Sequence, residues 1–150
     1  MNMSDDDFEK IVQQIQNQAF DDARNAYGEK GFERWRNPKY GGVLEDADCS
    51  ASITGGCGDT MTIYLKFTNE RVSAASYVTD GCASSGLCGS FTAELALNRT
   101  AEQCFELSGA DVLETIGVFP EAERHCADLS SQTLHEAVNN YLIDRSKRIR

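Results

Sequence analysis

Positive charge, long apolar runs and any basic or apolar leader are scarce in this chain of 150 residues, and each scarcity removes a class of function. Fourteen Lys and Arg stand against 24 Asp and Glu, a formal charge of −10. The phosphate attraction behind general nucleic-acid binding is therefore missing, and no nucleic-acid partner is expected. Uninterrupted apolar stretches last only a few residues, against roughly 20 needed to cross a bilayer, so no membrane partner is expected either. The opening Met1-Asn2-Met3-Ser4-Asp5-Asp6-Asp7 carries neither the basic nor the apolar part of a secretory signal, which points to the cytoplasm. Repeats, linkers and the short C-x₂-C pairs of zinc ribbons and ferredoxins are missing as well. One domain over residues 1–150 is the expectation.

What is present is globular: 41% apolar residues together with 12 Gly. There are also six cysteines, Cys49, Cys57, Cys82, Cys88, Cys104 and Cys126. In a reducing compartment that density points to metal binding or thiol chemistry, with apolar packing as the plain alternative at each position.

Ser4 followed by three Asp is a good helix start, and Phe8, Ile11, Val12, Ile15 and Ala19 recur at helical spacing, so an N-terminal helix within 1–26 is expected to cover a sheet. Tyr27 to Gly42, with Gly28, Gly31, Asn37-Pro38 and Gly41-Gly42, reads as a loop anchored by Trp35. Met61, Ile63, Leu65 and Phe67 alternate on one strand face. Thr68-Asn69-Glu70-Arg71 then turns the chain into a strand from Val72 to Thr79, and Asp48 to Thr54 supplies a third. After Gly81 the period becomes helical along Leu87 or Cys88, Phe91 and Leu95, with Ser84 or Ser85 as a cap. Thr100 and Gln103 have capping-box spacing and open a helix running to Gly109. Asp111 to Ile116 adds a turn or two. A long helix follows from Glu121 to about Arg145, burying Ala127, Leu134, Ala137, Val138, Tyr141 and Leu142. The basic tail 145–150 complements its negative end. Strands followed by helices argue for α+β with a small antiparallel three-stranded sheet.

Three short groups sit at element ends: Gly55-Gly56-Cys57-Gly58-Asp59, Gly81-Cys82 and His125-Cys126. If the two strands pair as a hairpin, Cys57, Asp59 and Cys82 share one sheet edge. The helix start delivers Cys126 there, where amide dipoles are expected to lower its thiol pKa. Three thiolates with a carboxylate or an imidazole suit zinc or an iron–sulfur centre.

The ordered string Arg36-Asn37-Pro38, Gly41, Asp46-Ala47-Asp48, Cys57-Gly58-Asp59-Thr60-Met61, Thr79-Asp80-Gly81-Cys82, Gly89-Ser90, Thr92-Ala93-Glu94-Leu95, Pro120 and His125-Cys126-Ala127 resembles the IscU/NifU-type iron–sulfur cluster assembly scaffolds. It spans about residues 32 to 144, and Cys82 to Ser90 is most similar to NifU-like variants with an additional cysteine. The resemblance implies a SufE/IscU-like α+β fold with about five helices. It implies a non-enzymatic scaffold that builds a transient [2Fe–2S] cluster from iron and desulfurase-derived sulfur and passes it on. The implied ligands are Cys57, Cys82 and Cys126, completed by Asp59 or His125, and Cys126 is similar to the position that accepts persulfide sulfur. Implied partners are a cysteine desulfurase, an iron donor and apo iron–sulfur acceptors. Zn2+ is the other occupant of the same ligands, in a zinc-bound sulfurtransferase or in a structural zinc adaptor.

Much of the family recruits a specialised chaperone through Leu-Pro-Pro-Val-Lys, whereas this chain has Val118-Phe119-Pro120-Glu121-Ala122-Glu123, with an acid in place of the lysine. A dedicated chaperone is therefore not expected by that route. Cys49 and Cys88 read as packed small hydrophobes, with an extra thiol near the site as the other reading, and Cys104 reads as core. His135 reads as a solvated surface residue.

Overall fold

The computed structural model describes residues 3–149; Met1 and Asn2 of the opening segment and Arg150 of the basic tail lie outside the described residues. Period-2 alternation produces the sheet. Strand β1 (Cys49–Thr54), β2 (Thr60–Thr68) and β3 (Arg71–Thr79) are antiparallel in the order β1-β2-β3. Met61, Ile63 and Leu65 point to one face and are fully buried, because a pleated strand sends every second side chain to the same side. Between β2 and β3, Asn69 and Glu70 both take positive φ (53° and 65°), the twist a two-residue hairpin turn requires.

That buried face packs on two helices, α2 (Ala83–Ala96) against β3 and α5 (His125–Ile149) against β1 and β2. Leu134, Ala137 and Val138 of α5, with Ala93 and Ala96 of α2, close the main core over Met61, Ile63, Leu65 and Val72. A second cluster joins Leu87, Cys88 and Phe91 of α2 to Cys126 and Ala127 of α5. Its other members are Val112 and Ile116 of α4 (Gly109–Ile116). The capping box of Thr100 and Gln103 opens a short α3 (Ala101–Phe105), and a second box, Ser108 with Asp111, opens α4 separately. Among the described residues no helix is long and apolar enough to cross a membrane. All six cysteines are free.

Several expectations are corrected. The first helix does not end before Tyr27: α1 runs over Asp5–Arg36, interrupted at Gly28 (φ 70°, ψ −178°), so the anticipated loop is largely helix. Its second part is held by tertiary contacts that outweigh two glycines. Arg34 is buried and donates to Ser90 Oγ at 2.9 Å and Glu94 Oε1 at 2.9 Å, with its guanidinium 4.1 Å over the Phe91 ring. Its first part does not cover the sheet, since Phe8, Ile11, Val12 and Ile15 face solvent. Ser84 and Ser85 do not cap α2, whose N-cap is Cys82; both serines lie within the helix and are buried. His135 is half-buried, its Nε2 2.7 Å from the Leu107 carbonyl oxygen, and Leu142 is exposed rather than buried, because α5 outruns the sheet. Tyr141 instead stacks on Phe67 at 3.8 Å.

Candidate functional site

The hairpin register brings the first two groups together. Met61 pairs with Thr79, so the chain entering β2 and the chain leaving β3 meet at one edge. Asp80 Oδ1 accepts from the Thr60 amide at 2.7 Å, and Thr79 Oγ1 donates to the Thr60 carbonyl at 2.8 Å, which ties that edge shut. The β1–β2 turn closes on itself through Gly55 N–H to Asp59 O at 2.8 Å and Gly58 N–H to Gly55 O at 3.0 Å. Gly58 takes φ 92°, a left-handed value that glycine reaches without strain. Gly81 serves a different need: a Cβ there would stand 2.5 Å from Ser85 Oγ and 2.8 Å from Asp59 Oδ2, so only a bare backbone lets the two loops approach.

The third group arrives on α5. Ser85 Oγ donates to Asp59 Oδ2 at 3.2 Å and lies 3.4 Å from Cys126 Sγ, linking the turn before β2 to the start of α5 through α2. Cys57 Sγ and Leu129 of α5 flank Gly55 from two sides, at 3.7 Å and 3.4 Å from where its Cβ would be. Cys57, Cys82 and His125 are exposed, Asp59 is half-buried and Cys126 is buried. The predicted site residues thus occupy one end of the sheet.

Sequence reasoning missed a member. Glu123, the last residue of a 3-10 turn over Glu121–Glu123, places Oε2 3.9 Å from Cys82 Sγ and 4.0 Å from Cys126 Sγ. The ligand atoms of Glu123, His125 and Cys126 all lie within 4.8 Å of one another. Among the described residues Cys57, Asp59 and Cys82 stand outside that tight group. The readable signal was spacing: Glu123 and Cys126 stand at i and i+3, and such positions share a side where a turn runs on into a helix.

The anticipated acidification of Cys126 is reversed. Burial pushes its thiol up, the hydrogen bond from Ser85 opposes this in part, and the neighbouring Cys82 and Glu123 raise it further. The helix start does not offset the loss of water around the sulfur. A cation would change that balance, because thiolate, carboxylate and imidazole donors fit a divalent metal or an iron–sulfur centre. Cys49 and Cys88 are core residues outside this edge: Cys49 Sγ lies 3.9 Å from the Leu65 carbonyl, and Cys88 is fully buried in the second cluster.

Residues 26–148 match the family described as NifU-like N terminal domain. A relative from Archaeoglobus fulgidus, iron–sulfur cluster assembly scaffold protein IscU 1, is 32% identical over 122 residues, covering 81% of this chain and 80% of its own length. The scaffold protein IscU of Aquifex aeolicus is 30% identical over 124 residues, covering 81% and 79%. In structure the chain is similar to a nitrogen-fixing NifU-like protein (N-terminal) from Brucella abortus, with a TM-score of 0.60, 20% identity and coverage of 79% and 95%.

Proposed function

The chain belongs to the NifU-like N-terminal domain family, and from that premise we propose that it is a scaffold on which an iron–sulfur cluster is built and from which it is handed on. The cargo is a labile [2Fe–2S] cluster made from iron and sulfur supplied by a cysteine desulfurase, with apo iron–sulfur proteins as acceptors and an iron donor upstream. The observation that carries the reading is the gathering of Cys57, Asp59, Cys82 and Cys126 at one open sheet edge, with two of the thiols exposed. Because thiolate ligands require reduced cysteines, a reducing compartment such as the cytoplasm fits.

Each residue has a role in this reading. Cys57, Cys82 and Cys126 hold the cluster, since soft thiolates match iron–sulfur centres. Asp59 is the fourth ligand and the weak corner: its hard oxygen is the poorer match, so an incoming acceptor thiol displaces it first. Three thiolates and one carboxylate around a [2Fe–2S]²⁺ core leave a net charge of −2, which favours a site open to water over a buried one. Cys126 takes sulfur as a persulfide. Its thiolate attacks the donor's sulfane sulfur, the donor S–S bond breaks, and the donor cysteine leaves as a thiolate.

The test is anaerobic incubation of the full chain with ferrous iron, cysteine and a cysteine desulfurase, read by absorption and Mössbauer spectra and by transfer to an apo-ferredoxin. A [2Fe–2S] chromophore that moves to the acceptor is the expected result. Asp59→Ala is expected to assemble the cluster and release it more slowly; equal transfer rates would remove the weak-corner argument. The tight Glu123, His125 and Cys126 group favours one second reading, a zinc-bound sulfurtransferase, because mixed N, O and S donors suit zinc. Accelerated sulfur release with zinc retained and no chromophore would select it.

A further inference from the structure

We infer that Glu123 is a metal ligand: with His125 and Cys126, and with Cys82 as the fourth donor, it forms a mononuclear site for a divalent cation that shares Cys82 and Cys126 with the cluster set and uses Glu123 and His125 in place of Cys57 and Asp59. As the landing position for ferrous iron it rests on the scaffold reading; as a metal site it stands on geometry alone.

Three donor atoms, from Glu123, His125 and Cys126, share one small volume within 4.8 Å of one another, and Cys82 reaches it from the start of α2 through Glu123. Glu123 Oε2 is 3.9 Å from Cys82 Sγ and 4.0 Å from Cys126 Sγ, and His125 Nε2 is 3.8 Å from Cys126 Sγ. A tetrahedral ion with metal–sulfur bonds near 2.3 Å and metal–nitrogen or metal–oxygen bonds near 2.1 Å sets its ligands about 3.6 Å apart. These three separations exceed that by a few tenths of an ångström, and Cys82, outside the tight group, closes in from the exposed start of α2 on binding.

The surroundings of Glu123 point the same way. Among the described residues no Lys, Arg or His nitrogen lies within salt-bridge distance of its carboxylate, and the neighbouring Arg124 is paired with Glu121 at 3.6 Å. A half-buried carboxylate facing two thiols without a counter-cation is electrostatically unfavourable once either thiol ionises. A divalent ion removes that conflict. On binding, Cys82 and Cys126 each release a proton to solvent, leaving two thiolates, one carboxylate and a neutral imidazole around a 2+ ion, net −1. Asp59 is not needed here, being engaged with Ser85.

The experiment is titration of the reduced full chain with Co2+, followed by Zn2+ competition against a chromophoric chelator. Wild type is expected to show thiolate-to-cobalt charge transfer with tetrahedral ligand-field bands. Glu123→Gln, on a surface turn, is expected to keep its circular dichroism, weaken Zn2+ binding by about tenfold or more and shift the ligand-field bands. Glu121→Gln, the exposed acid two positions earlier that pairs with Arg124, is expected to leave that affinity and the bands unchanged. Unchanged affinity and bands in Glu123→Gln, with normal charge transfer in wild type, would overturn this inference and leave the scaffold reading intact. Absence of thiolate-to-cobalt charge transfer in wild type would overturn both.

Discussion

The six cysteines form two sets with opposite fates, although one residue type fills both. Cys88 and Cys104 sit within helices and Cys49 opens β1, all three buried among apolar side chains. Burial pushes the Cys49 thiol up to about 12 and the Cys104 thiol up to about 11, and raises Cys88 as well. Cys57 and Cys82 sit where elements begin or end, exposed beside glycines, and Cys126 shares features of both sets, buried yet against Ser85, Glu123 and His125. Chemistry follows position in the fold: a thiol enclosed by apolar side chains is packing, and one at the open shared edge can meet a metal.

The comparison breaks most visibly through substitution at the edge. Cys82→Ser and Cys57→Ser are expected to abolish stable cluster assembly, while their exposed sites hold the change in folding free energy within about 0.5 kcal/mol. Reconstitution yield and chemical denaturation measured on the same samples check both halves. Next in size, Cys88→Ser places a hydroxyl in a closed apolar cluster and is expected to cost about 1–3 kcal/mol of stability, with assembly per folded molecule unchanged. Cys126→Ser, belonging to both sets, is expected to show both losses.

A smaller effect comes from pH. Folding raises the pKa of Cys49 and Cys104 above their ordinary value of 9.0, so their contribution is fully present below pH 9. Above it the unfolded chain sheds these protons while the folded chain keeps them, until about 11 at Cys104 and about 12 at Cys49. Stability therefore falls through that window, by at most about 1.4 kcal/mol per pH unit for each thiol. Thermal midpoints of wild type and of a Cys49→Ala, Cys104→Ala variant, compared across the window, are expected to decline more steeply in wild type. The smallest expected effect is that of Ser85→Ala, about 1 kcal/mol, from the lost hydrogen bond to Asp59. Denaturant unfolding of that variant checks it.

Much of this was legible because local rules and tertiary structure agree. Met61, Ile63, Leu65 and Phe67 alternate as a half-buried strand must, and Thr100 with Gln103 marks a helix start that the structure realises with both capping bonds. That Cys57, Asp59, Cys82, His125 and Cys126 come to one end of the sheet was legible because the hairpin register and the start of α5 set their places. The helical stretch through Phe32 to Arg36 was not, since Gly28 and Gly31 are local breakers and the contacts of Arg34 with Ser90 and Glu94 lie 56 and 60 residues away in sequence. Glu123 was hidden for a related reason: an acid in a surface turn looks solvated until the fold sets two sulfurs beside it. The helix-start argument for Cys126 gave the wrong sign because sequence shows the dipole and not the missing water.

The interruption of α1 at Gly28 has a mechanical consequence. The segment before it packs back through Phe20 on Phe32 and Trp35 and through Tyr27 on Ser84 and Phe119, which leaves Asp5 to Ala19 as a projecting rod of about 22 Å at 1.5 Å per residue. A 10° rotation about that anchor sweeps the far tip through about 4 Å by that same length. At the interruption the backbone abuts Val118, where a Cβ on Gly28 would stand 3.1 Å from the valine side chain. Val118 lies five residues ahead of Glu123, so the interruption of α1 is seated against the same strap that leads to the carboxylate beside the two sulfurs.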